Sequence, residues 1–193
     1  NPCKWKVDFL LGFPIISIKC SIFLFIIVIG FEKSLIVYDQ KVPKKFLEKI
    51  KSRLNSDVKL TFLFKASEKN KNIKYVQSLL EILFKNNFTR NDVILCLGGG
   101  ISGDLAAFAA SIYKRGLKFI NVPSTLLSQV DSSIGGKAGV NNKFGKNLIG
   151  SFYQPDLVVS DTKILESLPE REIICGYAEI FKHSLIQNKK LFL

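Results

Sequence analysis

The sequence predicts an α/β protein with a mainly parallel sheet and helices on both faces. Three observations carry this. From Ser34 onward, short apolar runs alternate with segments of helical periodicity. A glycine triplet, Gly98-Gly99-Gly100, follows one apolar run and opens a small-residue helical pattern. Polar residues suited to ligands fall just after the predicted strands, on the edge where open parallel sheets bind them.

Each element has its own signal. Leu35–Tyr38 is a buried-strand run that ends at Asp39. Pro43 fits a first helical turn, and Phe46, Leu47, Ile50 and Leu54 follow at helical spacing. Val58–Phe64 reads as a second strand. Ile73, Val76, Leu80 and Leu83 recur at i, i+3, i+7 and i+10 and predict a second helix. Thr89-Arg90-Asn91-Asp92 is a turn before the strand Val93–Leu97. Ser102–Tyr113 follows as a helix with Leu105, Phe108, Ala109 and Ile112 on one face. Leu117–Val122 is a strand ending at Pro123, the stretch from Asp131 to Asn147 is a polar loop, and Leu157–Ser160 is a short strand. Pro169 opens a last helix running to about Gln187. Such a β-α-β order favours right-handed crossovers and a parallel sheet.

Residues 1–33 carry the weakest signals. Ile22–Phe31 is an apolar run of ten residues. A membrane span needs about 20, and Gly30-Phe31-Glu32-Lys33 makes a poor signal-peptidase site. One or two buried strands are expected there, and no membrane association.

Composition narrows the partners. The chain has 193 residues, 47% of them hydrophobic, with 28 basic and 16 acidic residues and a formal net charge of +12. This balance favours anionic ligands. The basic residues are scattered, with no basic block or aromatic-basic ladder, so no nucleic-acid partner is expected. Cys3, Cys20, Cys96 and Cys175 form no CxxC pair. They read as reduced structural cysteines, which fits a cytoplasmic location. A single histidine, His183, excludes a multi-histidine metal site within the chain. The chain starts at Asn1 and contains no methionine, and it stops at Leu193 near the end of an amphipathic helix. Both ends read as those of a fragment.

The chemistry-bearing residues cluster between Leu97 and Pro155. Gly98-x-Gly100-x-x-Gly103 matches a dinucleotide fingerprint set between a strand and a helix, where backbone N–H groups and the helix dipole favour pyrophosphate. A tight strand-to-helix turn explains the same glycines, and the usual acidic residue about 20 positions later is missing. Asp104 suits either the helix dipole or a ribose or amide contact. Asp131, Lys137, Lys146 and Asn147 lie among glycines in the polar loop, which suits a phosphate and polyol site. Glu172, Gly176, Glu179, Lys182 and His183 share a face of the last helix. Glu172 reads as solvated. Glu179 and His183 at i and i+4 offer two metal donors, too few for a closed site.

Three stretches together resemble the 3-dehydroquinate synthases of the sugar-phosphate cyclase family. They are GGGISGDLAAFAASIYKRG (Gly98–Gly116), VPSTLLSQVDSSIGGKAGVNNKFGKNLIGSFYQP (Val122–Pro155) and LPEREIICGYAEIFK (Leu168–Lys182). The resemblance implies a Rossmann-like N-terminal domain followed by a helical domain. On that pattern, residues 34–168 form the NAD-binding unit, 1–33 an atypical start, and 169–193 the first helix of a truncated helical domain. The implied reaction converts 3-deoxy-D-arabino-heptulosonate 7-phosphate to 3-dehydroquinate and phosphate, a step of the shikimate pathway. NAD is used and regenerated, and a zinc or cobalt ion assists.

The resemblance also implies residue roles. Asp39, Glu68, Lys71, Gly99, Gly100, Ile101, Ser102, Gly103, Asp104, Ser124 and Thr125 fall at NAD-contacting positions. Thr162 and Ile164-Leu165-Glu166-Ser167 fall at a second NAD-contacting segment. Lys137 and Lys146 lie near NAD and substrate, and Asp131, Asn147 and Lys182 near substrate. Glu179 matches a metal ligand. Arg115 matches an arginine that reaches the neighbouring subunit's site in a homodimer. Ser67 replaces a family glycine, and Lys41 stands where an asparagine often contacts the cofactor. His183 takes the place of an aromatic residue and is not assigned as a ligand. Two histidine ligands belong to the family's helical domain, so this chain by itself is expected to be inactive. The alternatives are a cyclase making an inosose or valiolone-type ring, and an inactive NAD-binding remnant.

Overall fold

The computed structural model describes residues 5–10, 13–18 and 30–187. Most of the Ile22–Phe31 run, Cys3, Cys20 and the last residues, 188–193, lie outside them. Nine strands and four α-helices are described: β1 (Trp5–Leu10), β2 (Phe13–Ile18), β3 (Phe31–Asp39), α1 (Lys44–Arg53), β4 (Ser56–Phe64), α2 (Ile73–Lys85), β5 (Val93–Gly98), α3 (Gly100–Ile112), β6 (Lys118–Pro123), β7 (Lys137–Asn142), β8 (Gly145–Phe152), β9 (Leu157–Ser160) and α4 (Glu170–Gln187).

Seven strands form one sheet in the order β1-β2-β9-β6-β5-β3-β4. All neighbours run parallel except β1 and β2, which are antiparallel. The α/β fold with a mainly parallel sheet is therefore as the sequence predicts. β3 and β5 are adjacent, yet β4 lies outside β3 and β6 lies outside β5. The chain order reverses at this point, so a crevice opens at the carboxyl ends of β3 and β5, where such sheets bind ligands.

Two apolar layers sandwich the sheet. On one face Phe46, Leu47 and Ile50 of α1 pack with Ile36, Leu95, Ile120 and Val159. On the other, Val76, Leu79 and Leu83 of α2 and Leu105, Phe108 and Ala109 of α3 pack with Leu35, Val37, Ile94 and Cys96. β5 is buried along its whole length, which is why it reads as a continuous apolar run. Val76 and Leu83 of the sequence stripe are fully buried, joined by Leu79 rather than Leu80, while Ile73 is exposed. Asn72 caps α2: its Oδ1 accepts from the N–H groups of Lys74 and Tyr75.

The polar loop expected over 131–147 differs in the structure. Ser128–Ser132 is a π-helical turn, and β7 and β8 form an antiparallel hairpin. Lysine, asparagine and glycine are poor strand formers, so the sequence hides these strands. Packing sustains them: Ala138 and Val140 sit in the core beneath α3. Gly139 pairs with Gly150, and a Cβ on Gly150 would lie 2.1 Å from Ala138 O. The two backbones touch where no side chain fits. Among the described residues no helix is long and apolar enough to cross a membrane.

Candidate active site

The site begins at the N-terminus of α3. Gly99 is the N-cap and brings no side chain, so the first N–H groups of the helix have no side-chain partner. Such an end attracts anions. The glycines themselves have a packing reason. A Cβ on Gly98 would lie 2.6 Å from Ser102 Cβ, and one on Gly100 would lie 2.9 Å from Ser132 Oγ. Tight protein contacts thus account for the glycines, and the helix end is left without a side-chain cap.

Around this turn lie residues from three strand ends. Asp39, buried at the end of β3, accepts from Ser102 Oγ (3.3 Å) and from the Lys41 N–H (3.0 Å). Lys41 thus presents its backbone to Asp39, an interaction any residue type can make. Ser124 N donates to Gly98 O (2.9 Å), and Thr125 Oγ1 donates to Ser128 Oγ (2.8 Å). Ile101, Ser102 and Gly103 continue α3, with Ser102 and Gly103 buried.

Asp104 departs from its expected setting. It is the fifth residue of α3, whose first turn carries no acidic side chain, so the dipole explanation does not apply. Its carboxylate instead meets the Lys71 ammonium at 2.5 Å. That ammonium also donates to Asn147 Oδ1 at 2.5 Å. Lys71 is 4% exposed, so a segment before α2, the second turn of α3 and the β8 strand meet at one buried charge. Burial pushes the Asp104 carboxyl upward from the usual range, and the bond and charge of Lys71 pull it part of the way back. Asn147 adopts φ 55°, a left-handed conformation that asparagine tolerates.

The 67–72 segment is stitched to the hairpin. Asn141 N donates to Lys71 O (2.8 Å), and Asn141 Nδ2 donates to Glu68 Oε2 (2.8 Å). Lys146 lies 3.8 Å from the same Glu68 oxygen and is mostly exposed. Beside this network a cleft of about 530 Å³ is lined by Asp104, Asp131, Lys137, Asn147, Leu148 and Phe152, among others. The structure thus brings Asp104, Asp131, Lys137 and Asn147 to one cavity, and Lys71 bonds two of them, Asp104 and Asn147.

A second cluster forms where α4 crosses the Ser128–Ser132 turn. Gly176 permits the crossing: a Cβ there would lie 2.6 Å from Leu126 Cβ and 2.8 Å from Leu127 N. On the same helix face come Glu179 and His183. Donor atoms of Asp131, Glu179 and His183 all lie within 4.8 Å of one another. Glu179 Oε2 is shut off from solvent and makes no hydrogen bond of ordinary geometry, although the Lys182 ammonium pairs with it. That bond, with Asp131 adding to it, holds the Lys182 ammonium above its ordinary pKa. These donors are of the types that hold zinc or cobalt.

The remaining predicted positions are more dispersed. Thr162–Ser167 forms a 3-10 turn after β9. Ile164 is buried in the core, so its side chain is not offered to a ligand, while Leu165 is half-buried and Thr162, Glu166 and Ser167 are exposed. Arg115 is exposed in a left-handed turn, φ 63°, just before the amino end of β6, whereas Asp39, Gly98 and Ser124 lie at carboxyl ends of strands. The sequence reading set His183 aside and did not single out Asn141. The i, i+4 spacing of Glu179 and His183 was visible, but the third donor lies 48 positions earlier, at Asp131, and only the α4 crossing supplies it.

The profile of the 3-dehydroquinate synthase N-terminal region matches residues 61–175. The chain belongs to the 3-dehydroquinate synthase family. A 3-dehydroquinate synthase from Pelagibacter ubique (strain HTCC1062) is 59% identical over 165 residues, covering 85% of this chain and 45% of that protein. The chain therefore spans less than half the length of this family relative. Among solved structures, a 2-deoxy-scyllo-inosose synthase complexed with carbaglucose-6-phosphate, NAD+ and Co2+ has TM-score 0.75 and 31% identity, covering 82% of this chain and 43% of its own. A 2-epi-5-epi-valiolone synthase from Streptomyces hygroscopicus subsp. jinggangensis 5008, with NAD+ and Zn2+ bound, has TM-score 0.85 and 26% identity, covering 97% of this chain and 54% of its own.

Proposed function

We propose that this chain supplies the NAD-binding wall, and part of the substrate and metal wall, of a 3-dehydroquinate synthase acting in the cytoplasm. That enzyme converts 3-deoxy-D-arabino-heptulosonate 7-phosphate to 3-dehydroquinate and phosphate. The observation that carries this reading is the buried Lys71–Asp104–Asn147 contact between the α3 N-terminus and the hairpin. It ties the helix that opens at the glycine turn to the hairpin that carries Lys137 and Lys146, which supports reading them as parts of one site.

Each part of the chain has a task under this reading. The uncapped N–H groups of Gly100–Ser102 take the pyrophosphate, flanked by Asp39, Ser124 and Thr125. Glu68, Lys71 and Asp104 hold the ribose and nicotinamide side, and Thr162–Ser167 closes the far edge. Lys137 and Lys146 place ammonium groups toward phosphate, while Asp131, Asn147 and Lys182 orient sugar hydroxyls. When bound, NAD takes and returns a hydride, and a metal at Glu179 polarises the hydroxyl being oxidised. Residues 34–168 form the cofactor unit, and α4 opens a helical unit. Arg115 reaches the partner's site in a homodimer.

A second reading, a cyclase acting on a hexose 6-phosphate, is favoured by the 31% identical inosose synthase. Calorimetric titration of the chain with NAD tests the shared part, with saturable binding expected. No heat at millimolar NAD would sink both readings. With NAD present, tighter binding of the heptulosonate phosphate than of glucose 6-phosphate supports the first, and the reverse order supports the second.

A further inference from the structure

We propose that a small polar cavity beneath α3 binds one water molecule, held by Asn121 and Ser133, at the inner end of the cleft. Neither residue has a part in the proposed reaction, and the inference does not depend on that reaction.

Four observations carry it. Asn121 Oδ1, on β6, and Ser133 Oγ, just after the π-helical turn, are both shut off from solvent and make no hydrogen bond to protein. Their residues are 6% and 2% exposed. Buried polar groups in this state are costly, and an ordered water is their usual partner. Both residues also line one cavity, together with Gly103, Asp104, Ala107 and Lys137. About 10 Å³ of it is open to the centre of a water-sized sphere, room for a single water and nothing larger. The neighbouring polar groups are already engaged: Tyr153 Oη donates to Leu117 O at 2.9 Å, and the Asp104 carboxylate pairs with Lys71. Finally, bare Gly103 faces the Asn121 amide, where a Cβ would stand 3.5 Å from Nδ2 and 3.7 Å from Oδ1. The helix thus leaves the amide uncovered.

The chemistry selects water over an ion. Asn121 and Ser133 are neutral, and the charged residues of the lining, Asp104 and Lys137, are of opposite sign. Water both donates and accepts, so it serves the amide whichever way its O and N atoms point. Two polar partners meet the minimum that holds a buried water. The inner wall of the cleft at Asp104 and Lys137 is thereby backed by a fixed water rather than by a side chain.

The test is oxygen-17 magnetic relaxation dispersion of water with the 193-residue chain. The method counts water molecules held for longer than the protein takes to tumble, and it is blind to exchanging hydroxyl protons. Asn121→Leu keeps the size of the side chain and removes both of its polar atoms. Gly103→Ala keeps the amide and puts a methyl into the space above it. Each variant should lower the dispersion amplitude by the share of one water. Circular dichroism verifies that the variants fold. Alanine is a better helix former than glycine, so Gly103→Ala keeps the test decisive if Asn121→Leu does not fold. An amplitude unchanged in the folded variants overturns the inference. A loss equal to several waters in both would report a loosened fold rather than one site, and overturns it as well.

Discussion

Lys71 and Asp104 form a buried ion pair that fastens the loop before α2 to the second turn of α3. The side chains are 5% and 23% exposed. Removing one partner of such a pair leaves a buried charge uncompensated and costs about 3–5 kcal/mol. Lys71→Met should lower the urea-unfolding free energy by about 3 kcal/mol, since Asp104 keeps partial access to water. The double variant Lys71→Met, Asp104→Leu should recover most of that loss. Equal loss in single and double variants would show that Lys71 acts through packing alone.

The same pair sets a pH dependence. The Asp104 carboxyl is raised above its ordinary value in the fold, chiefly by burial. The native state therefore holds this proton more tightly than the unfolded chain, whose aspartates titrate at about 3.9. The stability this group contributes is fully present below about pH 4 and declines as pH rises through the folded value. Asp104→Asn removes the term. The stability of the natural chain relative to Asp104→Asn should fall from pH 4 toward neutrality, and parallel curves would contradict the direction.

Gly176→Ala tests the α4 crossing. The added methyl meets Leu126 Cβ at 2.6 Å and Leu127 N at 2.8 Å. Overpacking of this kind costs about 1–3 kcal/mol. Amides of the 126–133 turn should exchange faster with solvent, while those of β5 keep their protection. Unchanged exchange in the turn would mean that α4 does not rest there.

Gly150→Ala tests the hairpin. Its Cβ would stand 2.1 Å from Ala138 O, and backbone cannot rotate away as a side chain can. The strands must part, at a cost of about 3 kcal/mol or more. Asn147 should then lose Lys71, read as a shift of its side-chain amide resonances. Retention of those resonances would refute the coupling.

Lys146→Ala separates binding from folding. Its side chain is 72% exposed and its ion pair to Glu68 is long at 3.8 Å. Stability should change by less than about 0.5 kcal/mol. If Lys146 faces a ligand phosphate, binding of NAD or sugar phosphate should weaken about tenfold or more, as a charged hydrogen bond is lost. Unchanged binding removes Lys146 from the site.

Much of this organisation is legible in the chain. β3, β5 and β6 are buried on both faces, so they appear as apolar runs, and the helices betray themselves by period. The strand ends then place Asp39, Gly98 and Ser124 together by topology alone. The hairpin was hidden because its stability comes from α3 above Ala138 and Val140, not from the propensities of Lys137, Asn141 and Asn142. Asp104 falls beyond the first turn because the helix starts at Gly100, two residues before the expected Ser102. Its partner, 33 positions earlier, left no local trace. His183 needed Asp131, and only a helix crossing brings them together.

The stitching of Asn141 to Glu68 and Lys71, and of Lys71 to Asn147, has a thermodynamic consequence. These contacts form when the chain folds and need no ligand. The conformational entropy of the lysine and asparagine side chains is thus surrendered in folding, before any molecule enters the cleft. A ligand arriving there meets groups already at their stations, and its own loss of freedom becomes the main entropic opposition to association.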